Sequence, residues 1–142
     1  RATRLSASGR DHLLGRYLLP QPRLDIAPWL AASASAAMDI SDGLAGDLAK
    51  LCRASGVSAA IDLASVPLSA AAREAMAIDP ALFETAITGG DDYEILIALE
   101  SGAPPAAPAC RIGEFVAGSA PPIFLDGHKK PVFFKKLSFQ HF

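Results

Sequence analysis

An amphipathic helix between two short apolar segments occupies the middle of the sequence. Between residues 42 and 54 the apolar side chains recur at the helical positions i, i+4, i+7 and i+8, namely Leu44, Leu48, Leu51 and Cys52. Gly56 follows where a left-handed helix cap is expected. Segment 57–63 is predicted to be a strand. Segment 36–40 is too short to classify by periodicity, but its position before a turn that contains glycine suits a buried strand. This succession predicts a sheet with helices packed on it.

The rest of the chain continues the alternation of helix and strand. Further helices are predicted at 10–19, 27–32, 69–77 and 80–88, and further strands at 93–99, 111–116, 123–125 and 131–134. The proline- and alanine-rich segment 101–109 is predicted to be a loop. The predicted fold class is α/β (α+β), a mixed β-sheet with helices packed on it. We expect residues 1–24 to form a leading helix and connector, and residues 25–142 to form a single domain.

Composition excludes several classes of protein. The 142 residues are 51% hydrophobic and 20% charged, which is typical of a globular domain rather than a disordered one. The formal net charge of −2 lacks the basic excess of a nucleic-acid-binding protein, and no apolar run is long enough to span a membrane. Cys52 and Cys110 are far apart and lack metal-ligand spacing, so we expect free thiols and a cytoplasmic location.

A first cluster of polar residues follows the strand predicted at 36–40. It contains Asp39, Ser41, Asp42 and Gly43, directly before the central helix. The N-terminus of a helix attracts anions, and Gly43 would let a phosphate approach the backbone. The carboxylates would repel that phosphate unless a divalent cation lay between them, and Mg²⁺ suits such a set. In the alternative interpretation Ser41 or Asp42 only caps the helix, which would leave Asp39 without a role.

A second acidic cluster precedes the strand predicted at 93–99. Its sequence is Thr88-Gly89-Gly90-Asp91-Asp92-Tyr93-Glu94. Glycine after a helix followed by Asp in a turn is common, so an ordinary turn is one interpretation. The parallel with the first cluster favours a ligand site, because both place acids at the mouth of a buried strand.

Aromatic residues end the chain, in the sequence Phe139-Gln140-His141-Phe142. Such rings either pack on the body of the protein or stack on a flat ligand, and both interpretations stay open here. The nearby lysines, at positions 129, 130, 135 and 136, are typical of a solvated surface.

In combination these motifs resemble the carboxy-terminal domain of the thiamine-monophosphate kinase family, within the aminoimidazole ribonucleotide synthetase-like superfamily. The resemblance covers nearly the whole chain in the right order. Besides the two acidic clusters and the aromatic ending, it includes these pieces: Arg16-Tyr17-Leu18, Pro20-Gln21-Pro22-Arg23-Leu24, Asp47-Leu48, Ala54-Ser55-Gly56-Val57, Ile61-Asp62 and Val66-Pro67-Leu68.

The resemblance implies a kinase that transfers the γ-phosphate of ATP to thiamine phosphate and requires Mg²⁺. It implies that Asp39 and Asp42 bind Mg²⁺ and that Ser41 contacts the ATP phosphates. Asp91 would contact thiamine phosphate, and Phe139 would lie against the thiamine rings. The family more often has Glu at the position of Asp91, and Tyr or Trp at that of Phe139. No residue is assigned covalent catalysis, since this chemistry relies on alignment and charge neutralisation.

The resemblance also implies a partner for this chain. The family's amino-terminal domain, which supplies most of the metal-binding aspartates and the dimer interface, is not in this sequence. We therefore expect the full-length protein to be a homodimer and this chain alone to lack kinase activity. Alternatives are a non-catalytic module that binds nucleotide or thiamine phosphate, another ATP-using member of the superfamily, and a purely structural domain.

Overall fold

Helices and strands alternate as the sequence predicts. The computed structural model describes residues 4–103 and 109–138. In these ranges the helices are α1 (Ala7–Leu18), α2 (Ala27–Ser33), α3 (Leu44–Ser55), α4 (Ala70–Ile78) and α5 (Leu82–Thr88). The strands are β1 (Ala34–Asp39), β2 (Val57–Asp62), β3 (Ile95–Leu99), β4 (Gly113–Ala117), β5 (Ile123–Leu125) and β6 (Pro131–Val132). None of these helices is both long and apolar enough to cross a membrane.

The strands form two sheets rather than one. A four-stranded mixed sheet has the order β4-β2-β5-β6, in which β2 pairs antiparallel with β4 and parallel with β5. Separately, β1 and β3 form an antiparallel pair whose register runs from Ala34 opposite Leu99 to Asp39 opposite Ile95. The predicted mixed α/β fold is confirmed, and the separate β1–β3 pair is the feature that positions the candidate site.

Helix α3 supplies the centre of the hydrophobic core. Its predicted apolar face, Leu44, Leu48, Leu51 and Cys52, is buried. It packs with residues from the strands and from α5, including Ala59, Ile61, Ile87, Leu96 and Phe124. Gly56 ends the helix with φ of 67°, the left-handed cap that was predicted. Burial of each large aliphatic side chain stabilises the fold by about 1.5–3 kcal/mol, so this helix anchors both sheets.

The leading helix α1 is tied to α4. Ser6 caps α1, because its Oγ accepts a hydrogen bond from the Gly9 N–H at 3.0 Å. The carboxylate of Glu74 in α4 accepts bonds from the Ser6 N–H at 2.5 Å and from the Ser6 hydroxyl at 2.8 Å. These bonds fix the start of α1, the helix that precedes the connector at residues 20–23. The predicted boundary between residues 1–24 and the domain 25–142 stays a prediction.

The end of the described chain packs against α3 at Gly46. A Cβ atom at Gly46 would lie 2.5 Å from Cβ of Ser138 and 3.0 Å from the Leu137 carbonyl oxygen. Real Cβ atoms do not approach other atoms so closely, so the absence of a side chain at Gly46 is required for this contact. The C-terminal segment thereby lies beside the first turns of α3.

We expect Gly46→Ala to lower the free energy of unfolding by about 1–2 kcal/mol, because overpacking outweighs the better helix propensity of Ala. Gly15→Ala in α1 is the matched control, since a Cβ there meets nothing within 4 Å. The control should stabilise the chain by up to about 1 kcal/mol. Urea unfolding measures both changes, and equal stabilisation by the two substitutions would contradict the contact between Gly46 and Ser138.

Candidate functional site

The two acidic clusters lie side by side. Because β1 and β3 are antiparallel, the end of β1 meets the start of β3, and the clusters continue the pairing beyond the strands. Three backbone hydrogen bonds join them: Ile40 N–H to Glu94 O at 3.0 Å, Asp91 N–H to Ser41 O at 2.9 Å, and Asp92 N–H to Ile40 O at 3.2 Å. The structure thus brings Ser41 and Asp42 next to the turn that contains Asp91, whereas Asp39 lies opposite Ile95.

Glycines allow this close approach. Gly43 has φ of 106°, and a Cβ there would lie 2.5 Å from the carbonyl oxygen of Gly89. A Cβ at Gly90 would overlap the carbonyl oxygen of Ser41. Contact between the two clusters therefore requires both glycines. The sequence pattern had suggested for Gly43 only the close approach of a phosphate.

The helix-cap interpretation of the first cluster is wrong. Helix α3 begins at Leu44, its N-cap residue is Gly43, and no side chain caps it. Ser41 and Asp42 precede the cap, with Ser41 exposed and Asp42 half-buried, and Asp39 is exposed at the end of β1. Their side chains are consequently not used to satisfy the helix N-terminus.

Asp47 is the residue that organises the first cluster, and the sequence analysis gave it no role. Its side chain is 0% exposed, and Oδ2 accepts the backbone N–H groups of Ser41 at 2.9 Å and of Asp42 at 2.8 Å. A signal was present, because Asp47 lies on the apolar face of α3, three residues after Leu44 and one before Leu48. An acid on that face requires a buried partner.

Asp47 is ionised in the folded chain. Burial acts to raise the pKa of Asp47, but hydrogen bonds from Lys50 and from the backbone of Asp42 and Ser41 outweigh burial and lower that pKa below its usual value. The charged carboxylate therefore stabilises the fold at pH values above about 4, and this contribution disappears as the pH falls through the lowered pKa.

Lys50 joins Asp47 to Asp42. Its Nζ donates to Asp47 Oδ1 at 2.8 Å and also pairs with Asp42 Oδ2. Hydrogen bonding to Asp42 first, and to Asp47 second, raises the pKa of Lys50. One predicted metal ligand, Asp42, therefore already carries an ammonium partner.

Asp92 is the carboxylic acid whose pKa changes most. It is half-buried, and this burial, together with the charges of Glu94, Asp47 and Asp91, raises the pKa of Asp92 to about 7. Close to neutral pH it exchanges a proton, which distinguishes it from the ionised Asp47. The site thus combines one acid whose pKa is lowered, Asp47, with one whose pKa is raised, Asp92.

Two arginines connect the leading segment to the second cluster. Glu94 Oε2 pairs with Arg23 at 2.9 Å, and Glu94 Oε1 pairs with Arg16 at 3.4 Å. Arg16, Gln21, Pro22 and Arg23 border a shallow cavity of about 280 Å³ beside Glu94. Two motifs of the family resemblance, the one at Arg16 and the one at Arg23, therefore contact the second acidic cluster through Glu94.

Backbone strain is concentrated in the second cluster. Asp91 and Tyr93 have φ values of 61° and 54°, the left-handed region that non-glycine residues seldom adopt. Such residues persist where the surrounding structure fixes them, and they often occur at functional sites. The Asp91 side chain is exposed, so it is free to contact a ligand.

The carboxylates fit Mg²⁺ only in the company of further ligands. Among residues 4–103 and 109–138, no three His, Cys, Asp or Glu side chains are grouped to hold a metal ion. Mg²⁺ is usually bound by one or two carboxylates together with phosphate oxygens, and Asp39 and Asp42 can supply that number. The donor set therefore suits an ion that arrives with a phosphate. Phe139, the predicted ring contact, lies outside the described residues.

The comparisons with known proteins identify the family. The family model for "AIR synthase related protein, C-terminal domain" matches residues 2–123. The chain belongs to this family. Within it, the domain is 34% identical over 127 residues to the thiamine-monophosphate kinase of Caulobacter vibrioides, covering 81% of this chain and 36% of that protein. It is 40% identical over 89 residues to the enzyme of Escherichia coli K12, covering 63% and 27% respectively.

Solved structures of thiamine-monophosphate kinases align with the fold of this domain. AaThiL complexed with AMPPCP and TMP is 27% identical and aligns with a TM-score of 0.77, covering 94% of this chain and 42% of that chain. The thiamine-monophosphate kinase of Stenotrophomonas maltophilia K279a is 33% identical with a TM-score of 0.71, covering 83% and 40%. The predicted resemblance is confirmed, and the domain spans less than half the length of each of these relatives.

We predict that Asp92→Asn stabilises the domain, and more at pH 8 than at pH 5. The pKa of Asp92 is raised in the folded state, so between about pH 4 and 7 the folded chain binds more protons than the unfolded chain. Stability therefore falls as the pH rises through this range, and the amide removes that loss. The increase in the free energy of unfolding caused by Asp92→Asn should be larger at pH 8 than at pH 5 by about 1–3 kcal/mol.

Chemical denaturation at both pH values measures this difference. Asp11→Asn is the control, because Asp11 is an exposed residue of α1 that pairs only with its neighbour Arg10 among the described residues. The control should change stability equally at the two pH values. An Asp92→Asn effect that is independent of pH would show that Asp92 is charged at pH 5.

Proposed function

We propose that this domain forms one wall of the active site of a thiamine-monophosphate kinase, which transfers the γ-phosphate of ATP to thiamine phosphate with Mg²⁺. The observation that carries the proposal is the pair of acidic clusters joined by backbone hydrogen bonds at the start of α3. The alignment with AaThiL complexed with AMPPCP and TMP supports the choice of nucleotide and substrate.

In this proposal each exposed group has a separate task. Asp39 and Asp42 hold Mg²⁺, which when bound would neutralise charge on the phosphate oxygens. The Ser41 hydroxyl donates a hydrogen bond to the ATP phosphates, and Asp91 contacts thiamine phosphate. The role of Phe139 against the thiamine rings stays a prediction. A rigid site suits this chemistry, because phosphoryl transfer depends on alignment and on preorganised charge.

The rest of the site is proposed to come from another domain. The relatives are more than twice as long as the stretches that match here, so residues beyond this domain are available in them. Two carboxylates also make an incomplete metal site. The homodimeric state of the full-length protein and its cytoplasmic location stay predictions.

We predict that Asp39→Asn, in the longest native product of the gene, lowers kcat/KM at least about 100-fold, because an amide is a far weaker Mg²⁺ ligand than a carboxylate. The assay follows ATP-dependent formation of thiamine diphosphate over a range of Mg²⁺ concentrations. Asp11→Asn is again the matched control, and it should leave the rate unchanged.

Unchanged activity in Asp39→Asn would contradict the metal assignment. If the longest product binds nucleotide and thiamine phosphate but forms no thiamine diphosphate, the proposed kinase activity is wrong and a binding module replaces it.

We also expect the 142-residue chain by itself to form no thiamine diphosphate, because two carboxylates cannot neutralise the transferring phosphoryl group without further ligands. The same assay applied to this chain tests the expectation. Turnover at rates typical of enzymes, about 1 s⁻¹ or more, would show that the described site is complete.

A further inference from the structure

Lys50 has two carboxylate partners with different properties. Asp42 is half-buried, at 34% side-chain exposure, whereas Asp47 is fully buried at 0%. The Lys50 side chain itself is 37% exposed and has a long flexible stem. The ammonium can therefore leave one partner while it keeps the other.

We infer that Lys50 is a resident counter-cation that competes with a divalent cation for the Asp42 carboxylate, and that Asp47 retains Lys50 when Asp42 binds the metal. This inference rests on the metal role of Asp42 in the proposed function. Lys50 acts through Asp42 and contacts no reacting atom, so it is a positioning residue.

The geometry gives Asp47 the means to retain the lysine. Its Oδ2 is occupied by the backbone N–H groups of Ser41 and Asp42, and its Oδ1 accepts from Lys50 at 2.8 Å. Loss of the contact with Asp42 would leave all three of these bonds in place. The backbone at residues 41–42 would consequently keep its position while the Asp42 side chain exchanges its partner.

The same geometry explains why Asp42 needs a counter-cation. Asp42 shares the Lys50 ammonium with the buried carboxylate of Asp47, so two carboxylates lie close to one ammonium. Without Lys50 the Asp42 carboxylate would lie near the Asp47 carboxylate with no ammonium between them. A bound divalent cation would supply the neutralisation that Lys50 gives in its absence.

Removal of the lysine charge should strengthen metal binding at Asp42. We expect Lys50→Met to lower the Kd for Mg²⁺ about three- to tenfold, both because competition ends and because a nearby positive charge is lost. Arg53→Met is the matched control: it removes one positive charge from the same helix one turn further on, and Arg53 has no salt bridge among the described residues. We expect Arg53→Met to change the Kd for Mg²⁺ less than about twofold.

The measurement is an NMR titration of the longest native product of the gene with Mg²⁺, in the presence of the ATP analogue AMPPCP, read from the backbone amide resonances of residues 39–43. Asp42→Asn identifies which part of the binding depends on this carboxylate. In the Asp42→Asn background, Lys50→Met should no longer strengthen binding, because the contact that carries the competition is absent. A merely structural role of Lys50 would not produce this loss of coupling.

Two further measurements keep the test decisive if Lys50→Met unfolds. In the unsubstituted chain, Mg²⁺ should shift the carboxyl ¹³C resonance of Asp42 and the ε-methylene resonance of Lys50, with a smaller shift at the Asp47 carboxyl. Lys50→Arg, which keeps the charge, should bind Mg²⁺ no more tightly than the original chain.

The outcomes separate this inference from the proposed function. Two results would overturn the inference and leave the metal role of Asp42 intact. In the first, Mg²⁺ binding depends on Asp42, but Lys50→Met changes the Kd no more than Arg53→Met does. In the second, Mg²⁺ does not shift the Lys50 resonance. Absence of Asp42-dependent binding in both the original chain and Lys50→Met would overturn the metal role and the inference with it.

Discussion

The buried carboxylate of Asp47 determines the shape of the candidate site. It receives two backbone N–H groups and one ammonium, so a charge that would otherwise destabilise the core is fully compensated. The backbone of Ser41 and Asp42 is fixed as a result, ahead of the first turn of α3. Since α3 is also the centre of the hydrophobic core, the site is attached to the element that supplies more of the buried core residues than any other described element.

The second constraint is the backbone contact between the two acidic clusters. A two-stranded pair such as β1 and β3 is marginally stable by itself in water. Its extension by three loop hydrogen bonds, and its packing on α3, hold it in place. Gly43 and Gly90 are needed because the two loops pass within contact distance of each other. A ligand site assembled in this way has little freedom to rearrange, which suits chemistry that depends on alignment.

Local periodicity was sufficient to predict most of the fold. The apolar face of α3 and its cap at Gly56 follow from spacings within a few residues. Strand β1 is different, because its segment is too short for periodicity to identify and it was predicted from its position before a turn that contains glycine. The division into two sheets depends on long-range pairing that no local pattern contains. Asp47 shows a different limit: its position on an apolar face was visible, but its partners are backbone groups, which carry no sequence signal. Lys50 likewise acquires a role only through its contact with Asp42.

The acidic residues of the two clusters outnumber the cations that pair with them, and this imbalance accounts for the role of Lys50 and for the raised pKa of Asp92. Asp42, Asp47, Asp91, Asp92 and Glu94 come together with few compensating cations. Arg16 and Arg23 neutralise Glu94, Lys50 serves Asp42 and Asp47, and Asp92 is left to reduce its charge by taking up a proton. A cluster of this kind raises the free energy of the metal-free state, since like charges repel at short range. In the proposed function a divalent cation would relieve that repulsion, so the acids that repel one another in the free domain would favour Mg²⁺ binding.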